Sequence, residues 1–181
     1  MKKIIVYQSK TGFTKKYAEW MAEVLNCMTV PFKKDMKNLN EYDLIIFGGG
    51  IMAGKVNGLE QFKTNVDLQK QKLFVYATGA TSQELTEVTD QFKTNNLTEE
   101  EQKKVPFYYY EGGIDYNHMG ILSKFFMKML VNMLKGKKNK TAEEEGMLNA
   151  LSHSFDHSDK NRIHTMTIHI KELENVYLQN S

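Results

Sequence analysis

The chain has 181 residues, about the size of one compact domain, and with 41% hydrophobic and 25% charged side chains it can bury a real core. Its 24 basic residues stand against 22 acidic ones, a formal net charge of +2, which lacks the concentrated cationic excess expected of a nucleic-acid binder. Cys27 is the single cysteine, so an intrachain disulfide is excluded, and it reads as a small apolar residue closing the first helix.

Lys3–Tyr7 is basic and then apolar, but the run Ile4, Ile5, Val6 and Tyr7 is too short for a signal peptide and predicts a strand. Thr14–Asn26 follows, with Tyr17, Ala18, Met21, Ala22, Val24 and Leu25 near helical spacing and lysines and glutamates elsewhere, an amphipathic helix. Further strands are predicted over Thr29–Phe32, Asp43–Gly48, Leu73–Thr78 and Pro106–Tyr110. Most are solidly apolar rather than alternating, as a parallel sheet covered on both faces requires. Ser82–Asn95 predicts the helix after the fourth strand, and a closing helix is expected from Asp156 through Ile163, Met166, Ile170, Leu173 and Val176. Residues 113–155 make too long a stretch for a loop and are read as a helical insertion. The expectation is one α/β domain over residues 1–181, a doubly wound five-stranded parallel sheet in the order 2-1-3-4-5, with its ligand at the carboxyl ends of the strands. No apolar stretch approaches the ~20 residues of a membrane span, and the expected location is the cytoplasm.

Directly after the first strand stand Ser9, Lys10, Thr11, Gly12, Phe13 and Thr14, then the helix. Hydroxyls, a glycine and a helix N-terminus together suit one terminal phosphate, and the Gly-Lys-Ser/Thr ending of a Walker loop is missing. Without a ligand the same residues would make a capped turn. The pattern Ser/Thr-x-Thr-Gly-x-Thr at this junction resembles the FMN phosphate loop of flavodoxins, with Ser9, Thr11, Gly12 and Thr14 at the fixed positions. Gly112-Gly113-Ile114-Asp115-Tyr116 and the Phe/Met-rich stretch Ile121–Leu134 resemble the flavodoxin-domain subgroup that contains the menaquinone-linked protoporphyrinogen dehydrogenases.

That resemblance implies a flavodoxin-like fold with FMN as cofactor, the flavin ring lying against two further segments. The first is Gly50, Ile51, Met52 and Ala53, in a glycine-rich stretch read as a flexible loop after the third strand. The second is Thr78, Gly79, Ala80 and Thr81, after the fourth. Gly113, Asp115 and Tyr116 complete the expected cofactor set. The segments that hold the ring in many flavodoxins carry aromatics; here both lack them, which leaves Met52 and Tyr116 as the expected ring contacts. Gly48–Ala53 also spells G-x-G-x-x-A, but Asn57-Gly58 interrupts the helix a dinucleotide fingerprint needs.

No catalytic acid or base and no metal site is nominated: His153, Asp156 and His157 have metal-like spacing without further ligands, and His164 and His169 read as solvated. The places of a receiver domain's acidic residues hold Gln8-Ser9 and Gly48-Gly49. The functional expectation is an FMN-dependent oxidoreductase, protoporphyrinogen dehydrogenase-like, that passes electrons to a quinone or another acceptor. The alternative is a flavodoxin-type electron carrier docking on a redox partner protein with no turnover of its own. Along Ile121–Lys135, Ile121, Leu122, Phe125, Phe126, Met129, Leu130, Met133 and Leu134 form a wide apolar face with lysines opposite. It is either packed on the domain or left open to a hydrophobic substrate or to peripheral contact with the inner face of a membrane.

Overall fold

The computed structural model describes residues 1–34, 36 and 39–179, with the side chains of residues 122, 126, 142 and 143 excepted. The chain opens with β1 (Lys3–Gln8), α1 (Phe13–Leu25) and β2 (Met28–Pro31). Then come β3 (Leu44–Met52), β4 (Lys55–Val56), α2 (Leu59–Lys63) and β5 (Lys72–Gly79), followed by α3 (Thr86–Asn96), α4 (Glu99–Lys104) and β6 (Phe107–Glu111). The five long strands are all parallel, in the order β2-β1-β3-β5-β6. This is the α/β doubly wound sheet expected. Each buried strand alternates its side chains between two cores because successive Cβ atoms point to opposite faces. Phe47, Val75 and Ala77 face one core with Leu59 and Phe62. Ile46, Phe74 and Tyr76 face the other, under Tyr17, Ala18 and Met21 of α1.

The glycine-rich stretch is strand rather than flexible loop. Gly48, Gly49 and Gly50 lie inside β3, paired with Tyr76, Ala77 and Thr78. A Cβ on Gly48 would stand 1.9 Å from the buried Tyr76 ring, and one on Gly49 would stand 2.6 Å from the Asn57 carbonyl oxygen. The glycines are there because neighbours fill the space a side chain would need. β3 then turns back antiparallel into β4 through Ala53 (φ 50°) and Gly54 (φ 77°), the left-handed pair of a tight hairpin. Thr78 and Gly79 likewise belong to β5.

After β6 come β7 (Gly113–Ile114), α5 (Ile121–Gly136), α6 (Ala142–Leu151) and β8 (Phe155–Asp156). β7 and β8 pair antiparallel, Gly113 with Asp156 and Ile114 with Phe155, which closes this segment on itself. Among the described residues its core is small: Ile114, Leu134 and Leu151 are buried, with Met127, Leu130 and Val131 half-covered around them. The closing helix does not begin at Asp156. That residue ends β8, a 3-10 turn follows over Lys160–Ile163, and α7 spans His164–Gln179, burying Met166 and Ile170. The helix after β5 also starts late, at Thr86, because residues 82–85 form a turn closed by the Leu85 N–H bonding the Ser82 carbonyl.

Candidate functional site

Ser9–Thr14 joins β1 to α1 as the sequence requires. Gly12 caps α1 at φ 93°, a left-handed conformation that favours glycine, and its N–H donates to Ser9 Oγ at 3.1 Å. The helix start carries no side-chain cap and no acidic residue in its first turn. Its amide groups and dipole therefore face outward without a competing carboxylate. Lys10 and Gly12 are exposed, Ser9, Thr11 and Phe13 half-buried, and Thr14 buried.

Thr14 ties the start of α1 to β5 and lies close to the end of β3. Its hydroxyl pairs with the Thr78 hydroxyl at 2.7 Å, and its carbonyl accepts from the Tyr76 hydroxyl at 2.9 Å. A Cβ placed on Gly50 would have Thr14 Oγ1 at 3.7 Å, Asn57 Nδ2 at 3.9 Å and the Thr78 carbonyl oxygen at 4.0 Å. Thr14, Gly50 and Thr78 thus converge from three segments. Phe13 reaches across to the predicted Gly113, with its ring atom Cζ 3.0 Å from where a Gly113 Cβ would be.

An open cleft of about 530 Å³ lies beside this loop. Thr11, Gly12, Phe13 and Lys16 form one wall, and Ile114, Asp115, Asn117, Ser154, Phe155 and Asp156 the other, with Lys16 Nζ bridging to Asp156 Oδ2 at 2.7 Å. Four predicted residues therefore share the cleft: Thr11, Gly12, Phe13 and Asp115. Gly50–Ala53 and Thr78–Thr81 sit on neighbouring strand ends outside its lining. Ile51 packs on the sheet core, Met52 is 49% exposed, and the Thr81 carbonyl accepts from the Tyr109 hydroxyl at 2.9 Å.

Two predicted residues also make contacts within the insertion itself. Asp115 accepts from the backbone N–H groups of Asn117 and His118 and meets His118 Nδ1 at 2.6 Å. The His118 contact comes first among the causes that hold its carboxyl below the usual range, so it shapes its own turn. Tyr116, expected against the ring, donates its hydroxyl to the Leu151 carbonyl and its N–H to Ser154 Oγ, and lines a second cleft with Lys124, Lys128 and Lys135. The insertion's own core captures the ring.

Sequence reasoning missed Glu111, at the end of β6. This carboxylate, 7% exposed, meets His157 Nδ1 at 2.7 Å and accepts from Arg162 at 3.1 Å and from the Gln83 N–H at 3.4 Å. Burial would raise its pKa, but His157, Gln83 and Arg162 together hold it below the ordinary 4.5. No local motif announces it, since its partners lie 46 and 51 residues away. His157 and Asp156 are thus engaged with Glu111 and Lys16, and among the described residues no group of three or more His, Cys, Asp or Glu could hold a metal. Burial pushes the Cys27 thiol up to about 11, away from the reactive range.

No curated protein sequence matches the chain. Among solved structures it is similar to the Trp repressor binding protein of Bacillus subtilis, at 13% identity over 77% of this chain and 100% of that one, TM-score 0.44. It is also similar to a flavoprotein in complex with FMN from Lactobacillus acidophilus NCFM, at 18% identity over 60% and 91%, TM-score 0.39. A third is oxidised flavodoxin 2 from Bacillus cereus, at 20% identity over 60% and 84%, TM-score 0.40. Residues 4–141 match the flavodoxin domain, three quarters of the chain. A helix start with no side-chain cap and no acidic residue in its first turn, a left-handed Gly12 and a buried threonine pair are a donor set suited to a phosphate monoester. The chain belongs to the flavodoxin-domain family, and FMN is its cofactor.

Proposed function

We propose that this protein is an FMN-dependent oxidoreductase of the protoporphyrinogen dehydrogenase-like kind, which takes reducing equivalents from an organic substrate and passes them to a quinone or another acceptor. The observation that carries this reading is the second wall of the phosphate-loop cleft. It is built by β7, β8 and the segments beside them, an addition an electron carrier does not need. Thr11, Gly12, Thr14 and the first amides of α1 hold the phosphate, and the strand ends bearing Gly50–Ala53 and Thr78–Thr81 receive the ring. FMN, when bound, supplies the hydride and single-electron chemistry. The chain's part is to orient the cofactor and to wall off water on the side of Ile114 and Phe155.

Quinone as acceptor is supported by the outer side of α5, where Ile121 is 91% exposed and Met129 and Met133 recur at helical spacing. Among the described residues no helix is long and apolar enough to cross a membrane, so contact with a lipid quinone would be peripheral. Leu122 and Phe126, also expected on the apolar face, have side chains outside the described residues. Reconstitution with FMN, followed by porphyrinogen oxidation with a menaquinone analogue, tests the proposal. Turnover is expected, and it is expected to vanish when residues 121–140 are replaced by a short Gly/Ser link that leaves FMN bound. A loaded protein that exchanges electrons only with reduced carrier proteins would be a carrier.

A further inference from the structure

The bridge from Lys16 to Asp156 spans the cleft beside the phosphate loop, and it sets a cation against a carboxylate there. Lys16 follows Gly12 by one helical turn, its N–H bonding the Gly12 carbonyl at 2.9 Å. Helical side chains lean toward the N-terminus, so the Lys16 side chain covers the turn that begins at Gly12. Among the described residues lining this cleft it is the one cation. Lys15, beside it in sequence, lies outside the lining and is paired with Glu19. Lys16 Nζ also stands 5.2 Å from the centroid of the Trp20 ring, a contact that helps keep the ammonium on this side of the helix.

The opposite wall is acidic, with the carboxylates of Asp115 and Asp156. Asp115 is committed to its own turn, through the N–H groups of Asn117 and His118 and through His118 Nδ1. Asp156 divides its two oxygens. Its Oδ1 accepts from the Ser158 N–H at 2.8 Å, while its Oδ2 takes Lys16 at 2.7 Å. A phosphate dianion at the start of α1 attracts the same ammonium that Asp156 holds, and the Asp156 charge repels that dianion. Asp156 therefore competes with the phosphate for Lys16. Lys16 is half-buried and Asp156 exposed, so each effect is modest and weakens with salt.

We infer that Lys16 is a phosphate contact and Asp156 its competing partner, so that this pair sets how strongly the protein prefers FMN to the same flavin without a phosphate. The inference rests on the phosphate lying at Ser9–Thr14, as in the function proposed above. It adds a cation from the first turn of α1 and an opposing carboxylate from β8. Through Asp156 the insertion takes part in choosing the cofactor.

The test compares FMN with riboflavin, which keeps the ring and the ribityl chain and lacks the phosphate, by fluorescence titration of the full chain. At low salt Lys16→Gln is expected to weaken FMN about three- to tenfold and Asp156→Asn to strengthen it about two- to fivefold, with riboflavin unchanged in both. Lys16→Arg keeps the charge and should stay within about twofold of the parent. Both shifts should shrink at about 0.5 M salt. Unchanged riboflavin affinity and circular dichroism report that each variant is folded. The sign of the Asp156→Asn effect separates competition from bracing. Asparagine keeps the size and the acceptor for the Ser158 N–H, so a bridge that only braced the cleft wall would, when cut, weaken FMN and riboflavin together. That result would overturn the inference, as would a Lys16→Gln variant that binds FMN as the parent does or loses both flavins alike. A parent that binds FMN and riboflavin equally removes the phosphate-loop placement and the inference with it. A parent that prefers FMN, with the preference untouched in both variants, keeps the placement and removes the role of the pair.

Discussion

Phe47 and Leu134 are both buried, yet they belong to cores of different strength. Phe47 stacks on Phe62 with ring centroids 4.3 Å apart and meets Phe32 edge-on, inside a cluster with Val6, Ile45 and Val75. Across the sheet Tyr17 stacks on Tyr110 at 4.9 Å within a second such cluster. Among the described residues Leu134 shares its core with two other buried side chains, Ile114 and Leu151, and the helix that carries it leaves Ile121, Met129 and Met133 exposed. The sheet therefore holds the phosphate loop on a rigid base, while the insertion forms the other wall of the cleft from the low-stability end of the molecule. That division suits the proposed site, which would keep its cofactor on the sheet and admit a substrate on the insertion's side.

Replacing a residue in each core is the strongest way to break this comparison. Phe47→Ala should cost about 3–5 kcal/mol of global stability, since the ring leaves a cavity in a sheet that cannot collapse around it. Leu134→Ala should instead speed amide exchange across α5 and α6 while moving the main urea midpoint little. Equal shifts of the midpoint would mean that sheet and insertion unfold as one unit.

The second prediction concerns the rigid side alone. Thr14→Val removes a hydroxyl that pairs with Thr78 and, in the proposed site, would also meet the phosphate, and should weaken FMN by about 1.5–3 kcal/mol, roughly tenfold to a hundredfold. Riboflavin, which lacks the phosphate, should lose far less. A parallel fluorescence titration in which both ligands weaken equally would show that Thr14 acts through the sheet and not through the phosphate.

The sheet was legible because buried parallel strands are written as apolar runs, Leu44–Phe47 and Leu73–Ala77 among them, and the turn from β1 into α1 because its residues are consecutive. What escaped was either too short or too distant. β4 is two residues long, and β7 with β8 is a pair of dipeptides some forty residues apart. α4 is polar throughout, so it has no apolar period; its only signal was the capping box of Thr98 and Glu101. Gly48–Gly50 was visible but carried the wrong inference, because a sequence does not show that Tyr76 and Asn57 occupy the space beside the first two of them.

Glu111 lies on the seam between the two regions and gives the smallest and most diagnostic effect. Its carboxylate joins the Gln83 loop after β5, His157 beyond β8 and Arg162 ahead of α7, so it fastens the insertion's return leg to the sheet. Because its folded pKa is lowered, its contribution is fully present above the ordinary glutamate value of 4.5 and is lost as pH falls through the lower folded value. Glu111→Gln keeps the size and part of the hydrogen bonding but not the charge, and should cost about 0.5–1.5 kcal/mol at neutral pH. Other carboxylates with lowered pKa values, such as Asp156, titrate in the same window, so the informative quantity is the difference between parent and variant. That difference should be constant from neutral pH down to about 4.5 and shrink below it, with exchange at residues 155–158 faster in the variant only where the gap is open. A gap that persists unchanged well below that range would mean the contact depends on shape, and that the insertion is held to the sheet by packing rather than by charge.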